Sequence, residues 1–194
     1  SNISAQLDAG WMSTGNATDD YFNATAYNIH VFMPAGAMQV GGFYGFGTGN
    51  HVDDSDEGNV SYFGIDAALP MNNGQLAAQI GLGTHTNSHD SLDYENAFFG
   101  TVEYRHFVND DLMLRGSAGM ANFVTHGDPG TVYLLQADAT YRISGNLSAT
   151  AGVRDFVMIN DGEGSGYDLQ AFVGLQMTFG AGGSLQDSMA ATPM

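Results

Sequence analysis

Two short stretches hold the residue types from which chemistry is most readily built. THTNSHDS places His85, Ser88, His89 and Asp90 within six residues. A histidine, a hydroxyl and an acid are the ingredients of a hydrolytic site, in which the base removes the hydroxyl proton as the oxygen attacks an ester. Such a triad is recognised by geometry rather than by proximity in sequence. HVDDSDEGN gathers Asp53, Asp54, Asp56 and Glu57 beside Gly58. Clustered carboxylate oxygens in a loop suit calcium, and Asp53, Ser55, Glu57 and Gly58 imitate the start of an EF-hand loop. The imitation stops at Gly64, where the bidentate glutamate would stand. The expectation is a solvated acidic loop, with calcium as the one cofactor its carboxylates could take. His30, His51, His106 and His126 are scattered and read as ordinary turn or rim residues. No histidine pair has convincing zinc spacing.

A third set of charges is spread along the chain: Asp8, Asp66, Glu103, Arg105, Arg115, Asp138, Arg142, Arg154 and Asp168. Gln6, Gln39, Gln75, Gln79, Gln136, Gln170 and Gln176 are interleaved with them. What positions these residues is a period of two. In GYDLQAFVGLQMTFG, Tyr167, Leu169, Ala171, Val173, Leu175, Met177 and Phe179 alternate with Asp168, Gln170, Phe172, Gly174, Gln176 and Thr178. Alternation of this kind marks a β-strand whose two faces meet different surroundings. It is long for a soluble strand, whereas about ten tilted residues would cross a bilayer. The pattern recurs about ten times along the chain, as in Ile3, Ala5, Leu7, Ala9 and Trp11 or Leu76, Ala78, Ile80 and Leu82. The segment from Tyr21 to Met33 carries apolar residues on both faces, which leaves its orientation open.

Composition narrows the classes. The 194 residues suit one domain, with no cysteine for disulfides or thiolate metal sites. A net charge of -17, from 21 acids against four arginines and no lysine, repels nucleic acid. No apolar run is long enough for a membrane helix. The N-terminus, SNISAQLDAG, begins directly in an alternating segment, as a mature chain would after removal of a signal.

Connections alternate between tight turns (MPAGA, PMNNG, VNDD, ISGN) and longer polar loops (STGNATDD, GNHVDDSDEGN, THTNSHDSLD, THGDPG, NDGEGSG). Short and long connections therefore fall at opposite ends, as in an up-and-down meander. Asn72-Asn73-Gly74 and Ser144-Gly145-Asn146 are expected to supply the positive φ of tight hairpins. An Arg or Glu turned to lipid costs about 2–4 kcal/mol near the midplane. That cost turns Glu103, Arg105, Arg115, Asp138, Arg142 and Arg154 to the interior. Counting back from the turns sets Glu103 near Arg115 and Asp138 near Arg154, as structural ion pairs rather than a substrate site. Trp11, Tyr21, Tyr44, Phe46, Tyr94, Tyr133 and Tyr167 form one aromatic girdle at the long-loop ends. Tyr104, Tyr141 and Phe179 form the other, at the short-turn ends.

With these features the chain resembles a small bacterial outer-membrane β-barrel of porin-like architecture, over roughly residues 2 to 179. The fold expected is all-β: an antiparallel up-and-down transmembrane barrel of about ten strands, eight being the nearest alternative. A soluble lipocalin-like barrel also alternates, but it would put the arginines outside. The resemblance implies that Phe179 serves as the insertion signal read by the barrel-insertion machinery, although GAGGSLQDSMAATPM follows it. Residues 180–194 read as a flexible periplasmic or docking tail. The expected function is a structural or interaction role in the outer membrane, with at most a narrow solute path. The alternatives are a small porin-like channel and a lipid-modifying enzyme at the outer rim. Expected partners are outer-membrane lipid, lipopolysaccharide bridged through divalent ions, a second copy or an envelope protein. Phe43, Tyr62, Phe99, Phe123, Phe156 and Phe172 would plug the interior, while Gly41, Gly45, Gly81, Gly83, Gly119, Gly152 and Gly174 would thin its lining.

Overall fold

Unbroken alternation over 12 to 17 residues builds ten strands. In the computed structural model the described residues are 3–15, 21–51, 57–87, 94–125, 128–145, 147–160 and 164–177, with some side chains near strand ends outside the description. The strands are β1 (Ser4–Gly15), β2 (Tyr21–Ala35), β3 (Met38–His51), β4 (Glu57–Met71), β5 (Gly74–Asn87), β6 (Tyr94–Phe107), β7 (Leu112–Thr125), β8 (Asp128–Ser144), β9 (Leu147–Asn160) and β10 (Gly164–Met177). Each pairs antiparallel with its neighbour in sequence, in the order β1 to β10. Among the described residues β1 and β10 share no ladder, so the sheet they form is a single open meander. No helix among them is long and apolar enough to cross a membrane, which says nothing of strands.

The sheet has two unlike faces. One carries Tyr27, Ile29, Val31, Tyr44, Phe63, Ile65, Ile80, Val102, Leu135, Val153 and Leu169, all exposed. The other buries His30, Asp66, Gln75, Glu103, Arg105, Asp138, Thr140 and Ser148. This resolves the orientation of β2. Its odd positions join the apolar face, and Asn28, His30 and Phe32 join the polar one. The girdle residues Tyr44, Phe46, Tyr104, Tyr133, Tyr141 and Tyr167 are exposed on the apolar face. The side chains of Trp11, Tyr21, Tyr94 and Phe179 lie outside the described residues, as does the whole 180–194 segment.

The glycines of the tight turns are placed differently from expectation. Among the described residues the one glycine with positive φ is Gly36, at 67°, in the β2–β3 turn. Gly74 is the first residue of β5, paired with Met71, and the turn before it is made by Asn72 and Asn73. Gly145 likewise is not in the left-handed region, and Asn146 lies outside the described residues. The β6–β7 turn is fixed by a side chain: Asn109 Oδ1 accepts from the backbone N–H groups of Asp111 and Leu112, both at 2.9 Å. A short polar side chain that satisfies the backbone in this way removes the need for glycine.

Candidate functional site

The polar face is organised by rows of residues in register across neighbouring strands. One row runs Gln75, Arg105, Arg115, Asp138, Gly152 and Phe172 from β5 to β10. The next runs Ala77, Glu103, Ser117, Gln136, Arg154 and Gln170. Arg105 and Arg115 thus stand directly opposite each other, an arrangement that repels unless an anion intervenes. Glu103 supplies it. Its Oε1 accepts from Arg105 Nε, and its Oε2 lies 3.4 Å from Arg115 Nη1. Arg105 Nη1 donates to Gln75 Oε1 at 2.9 Å. Arg115 Nε donates to Asp138 Oδ2 at 2.8 Å, and Gln136 Nε2 donates to the same oxygen at 2.8 Å. Among the described residues two guanidinium groups and two carboxylates form one hydrogen-bonded cluster of balanced charge, the arrangement that makes buried charge tolerable.

The Glu103–Arg115 proximity expected from sequence is present. The Asp138–Arg154 pair is replaced, because Asp138 faces Arg115 on one side and Gly152 on the other, and Arg154 faces Gln136 and Gln170. Arg154 Nε donates to Gln170 Oε1 at 2.8 Å, and Gln170 in turn donates to Asp168. The Arg154 guanidinium lies 5.4 Å from the Phe156 ring centroid and 5.7 Å from that of Phe172, a cation–π arrangement. Arg142 is on the polar face but is drawn to its rim, with Nη2 at 2.6 Å from Asp111 Oδ1 in the β6–β7 turn. The Asp8 side chain lies outside the described residues.

His30 is the main correction on this face. It is buried rather than at a rim, and its Nδ1 is 2.9 Å from Asp66 Oδ2. The β2 pattern concealed it, because Phe32 shares its face. The informative signal was the pair of polar residues, Asn28 and His30, at even positions between uniformly apolar odd ones. Asn28 accepts from the Tyr62 hydroxyl, two strands away. His106 does lie exposed near a tight turn, stacked on Tyr104 with centroids 6.5 Å apart.

Beyond the ion cluster, the face is filled by rings laid over glycines. Phe43, Gly64, Gly81 and Phe99 form one row across β3 to β6. A Cβ on Gly64 would come 2.6 Å from Phe43 Cζ, and one on Gly81 would come 2.5 Å from Phe99 Cζ. Gly45 accommodates the Tyr62 ring in the same way, Gly41 accommodates Asp66 Oδ1, and Gly152 accommodates Asp138 Cβ. Of the glycines expected to thin the lining, Gly41, Gly45, Gly81, Gly119 and Gly152 are occupied by their neighbours' side chains, whereas a Cβ on Gly83 would meet nothing closer than 3.7 Å and one on Gly174 nothing within 4 Å. Phe43, Tyr62 and Phe99 form a cluster with centroids 6.0 to 6.4 Å apart, and the His30 ring is 5.5 Å from Phe43. Phe123 lies outside the described side chains.

No group of three or more His, Asp or Glu among the described residues could hold a metal ion. The carboxylates proposed for calcium, Asp53, Asp54, Asp56 and Glu57, and the rim set His85, Ser88, His89 and Asp90 lie outside the described side chains. The arrangement that is described can bind and fix charge; it does not set a nucleophile beside a base. One charge falls elsewhere. Asp155 is on the apolar face, between Leu135 and Leu169 in register. The alternation that turns Arg154 to the polar face forces its neighbour to the other one.

No protein-family model matches this chain, and no curated protein matches it.

Proposed function

We propose that the chain is an integral outer-membrane β-barrel, closed by β1 meeting β10, whose role is structural or interactive and whose interior passes at most small ions. The observation that carries this reading is the inverted polarity of the sheet. A soluble sheet packs its apolar face away from water, whereas here Ile65, Val102, Leu135 and Leu169 are exposed while Asp66, Glu103, Arg105 and Asp138 are buried. Lipid is the solvent in which that distribution is favourable, because hydrocarbon accepts the apolar face and excludes the charged one. Strand length agrees, since most strands have 14 or 15 residues, more than a tilted crossing requires. The tyrosines of the apolar face suit headgroup levels. Closure would satisfy the free edges of β1 and β10, which cannot stay unpaired in hydrocarbon. Outer-membrane lipid and lipopolysaccharide would then be the surroundings of the barrel.

The interior argues for a plug over a pore. Aromatic rings occupy the glycine spaces of β3 to β6, and a neutral ion cluster crosses β5 to β8. The test is folding into detergent or lipid with heat-modifiable electrophoretic mobility. Unboiled protein is expected to migrate apart from boiled protein and to extract with outer membranes. A monomer fully soluble without detergent would contradict the proposal.

A further inference from the structure

Nine Asp, Glu or Arg side chains with a described environment lie on the strands: Asp66, Glu103, Arg105, Arg115, Asp138, Arg142, Arg154, Asp155 and Asp168. Eight share the polar face; Asp155 alone is on the other. It is flanked in register by Leu135 and Leu169, with Val153 and Val157 as its neighbours along the same face of β9. No hydrogen bond or ion pair joins it to any described residue. One rung toward the long-loop end, Tyr133 and Tyr167 flank Val157. One rung the other way, Ala137 and Ala171 flank Val153. The carboxylate therefore sits below a tyrosine rung and above a shallow one of small side chains.

We propose that this face of β8 to β10 docks a membrane-embedded protein that sets a lysine or arginine against Asp155. The inference rests on the transmembrane reading, in which a carboxylate within the apolar band is costly unless it is paired. Charge complementarity names the partner. A second copy cannot supply the cation from its strands, because the chain has no lysine and its four arginines all lie on the opposite face. A lipid amine is disfavoured by depth, since the tyrosine rung marks the headgroup level above Asp155. The alanines beneath it let a partner backbone approach closely, as small residues do at interfaces within membranes. Tyr167 and Val173, each 86% exposed, extend the surface along β10.

The test uses the full chain in intact cells, with p-benzoylphenylalanine replacing Leu135 or Leu169 beside Asp155, or Ile65 on a distant part of the apolar face. Irradiation is expected to give one protein adduct from the first two positions and none from Ile65. Asp155→Asn should lower its yield about tenfold or more, as loss of a desolvated charge pair does. The crosslinked segment should carry a lysine or arginine within an apolar run. Replacing that residue by glutamate should abolish the adduct, and Asp155→Lys should restore it. An adduct of two copies of this chain, adducts to lipid alone, or an adduct indifferent to Asp155→Asn would overturn the proposal. Membrane fractionation of the same cells separates the two readings. A chain in the membrane with no protein adduct defeats the docking surface alone, and a chain outside the membrane defeats both.

Discussion

Phe43 on β3 and Phe99 on β6 stand at opposite ends of one register row, yet their ring centroids are 6.0 Å apart, because the two residues between them are Gly64 and Gly81. Glycine here makes room for rings that lie along the sheet, and the polar face is filled from its own wall. The rings cover the β3–β6 part, and the arginine–carboxylate cluster continues across β5 to β8. In the proposed barrel these two groups together are the plug.

If glycines 64 and 81 exist for that contact, alanine at either should be destabilising. The new methyl would also press on backbone, against Ile80 O at Gly64 and 2.7 Å from Phe63 O at Gly81. We expect Gly64→Ala and Gly81→Ala each to cost about 1–3 kcal/mol, the usual range for overpacking. Gly116→Ala should be near neutral, since a Cβ there meets nothing within 4 Å. Denaturant midpoints of the folded protein in detergent measure all three.

Glu103 bridges two arginines that would otherwise face each other. Glu103→Gln removes the anion and keeps the shape, so it should destabilise by about 3 kcal/mol, toward the lower end for a broken buried pair because Arg115 is partly exposed. A double variant with Arg105→Gln should recover part of the loss, because it leaves Arg115 paired with Asp138. Equal stability of Glu103→Gln and the parent would mean that the cluster is not held by charge.

Arg115 and Arg154 should differ in effect. Arg115→Ala takes the partner from Asp138, whose side chain is fully buried, and should cost about 3 kcal/mol. Among its described partners Arg154→Ala frees a glutamine oxygen and two ring faces, contacts for which about 1–2 kcal/mol is expected. Unfolding curves for the two variants under one condition decide the order.

Much of this was legible from period two. The alternating segments became strands, and the sign of each face followed from where the arginines had to go. The failures have two physical causes: sequence gives the face of a residue but not its register, and a segment apolar on both sides does not give even the face. Asp138 and Arg154 were placed together by counting from turns, yet β8 and β9 pair so that Asp138 meets Gly152 and Gln136 meets Arg154. The register also shifts between Arg142 and Ser144, beside the turn from which the count starts. His30 was hidden because Phe32 made both faces of β2 read as apolar. Asp155 was legible in principle, since it follows an arginine committed to the interior and alternation then turns it to the apolar face.

Conduction should respond to the rings. The parent protein in a planar bilayer is expected to show at most small, ion-sized currents, because a barrel of about ten strands is nearly filled by its own side chains. Phe43→Ala with Phe99→Ala should open a path and raise conductance, while the fold is followed by heat-modifiable mobility. Large, stable currents from the parent would favour the porin-like alternative.

The central claim is that lipid covers the apolar face, and the absence of cysteine allows it to be measured residue by residue. Single cysteines introduced from Gly100 to Tyr104 on β6 and from Ala149 to Val153 on β9, each carrying a nitroxide, report contact with lipid-soluble oxygen or with a water-soluble nickel chelate. In liposomes, oxygen contact is predicted to alternate with period two, high at Gly100, Val102, Tyr104, Ala149, Ala151 and Val153 and low between them, with little nickel contact at the high positions. Strong nickel contact at Val102 and Val153 would place that face in water and contradict the account.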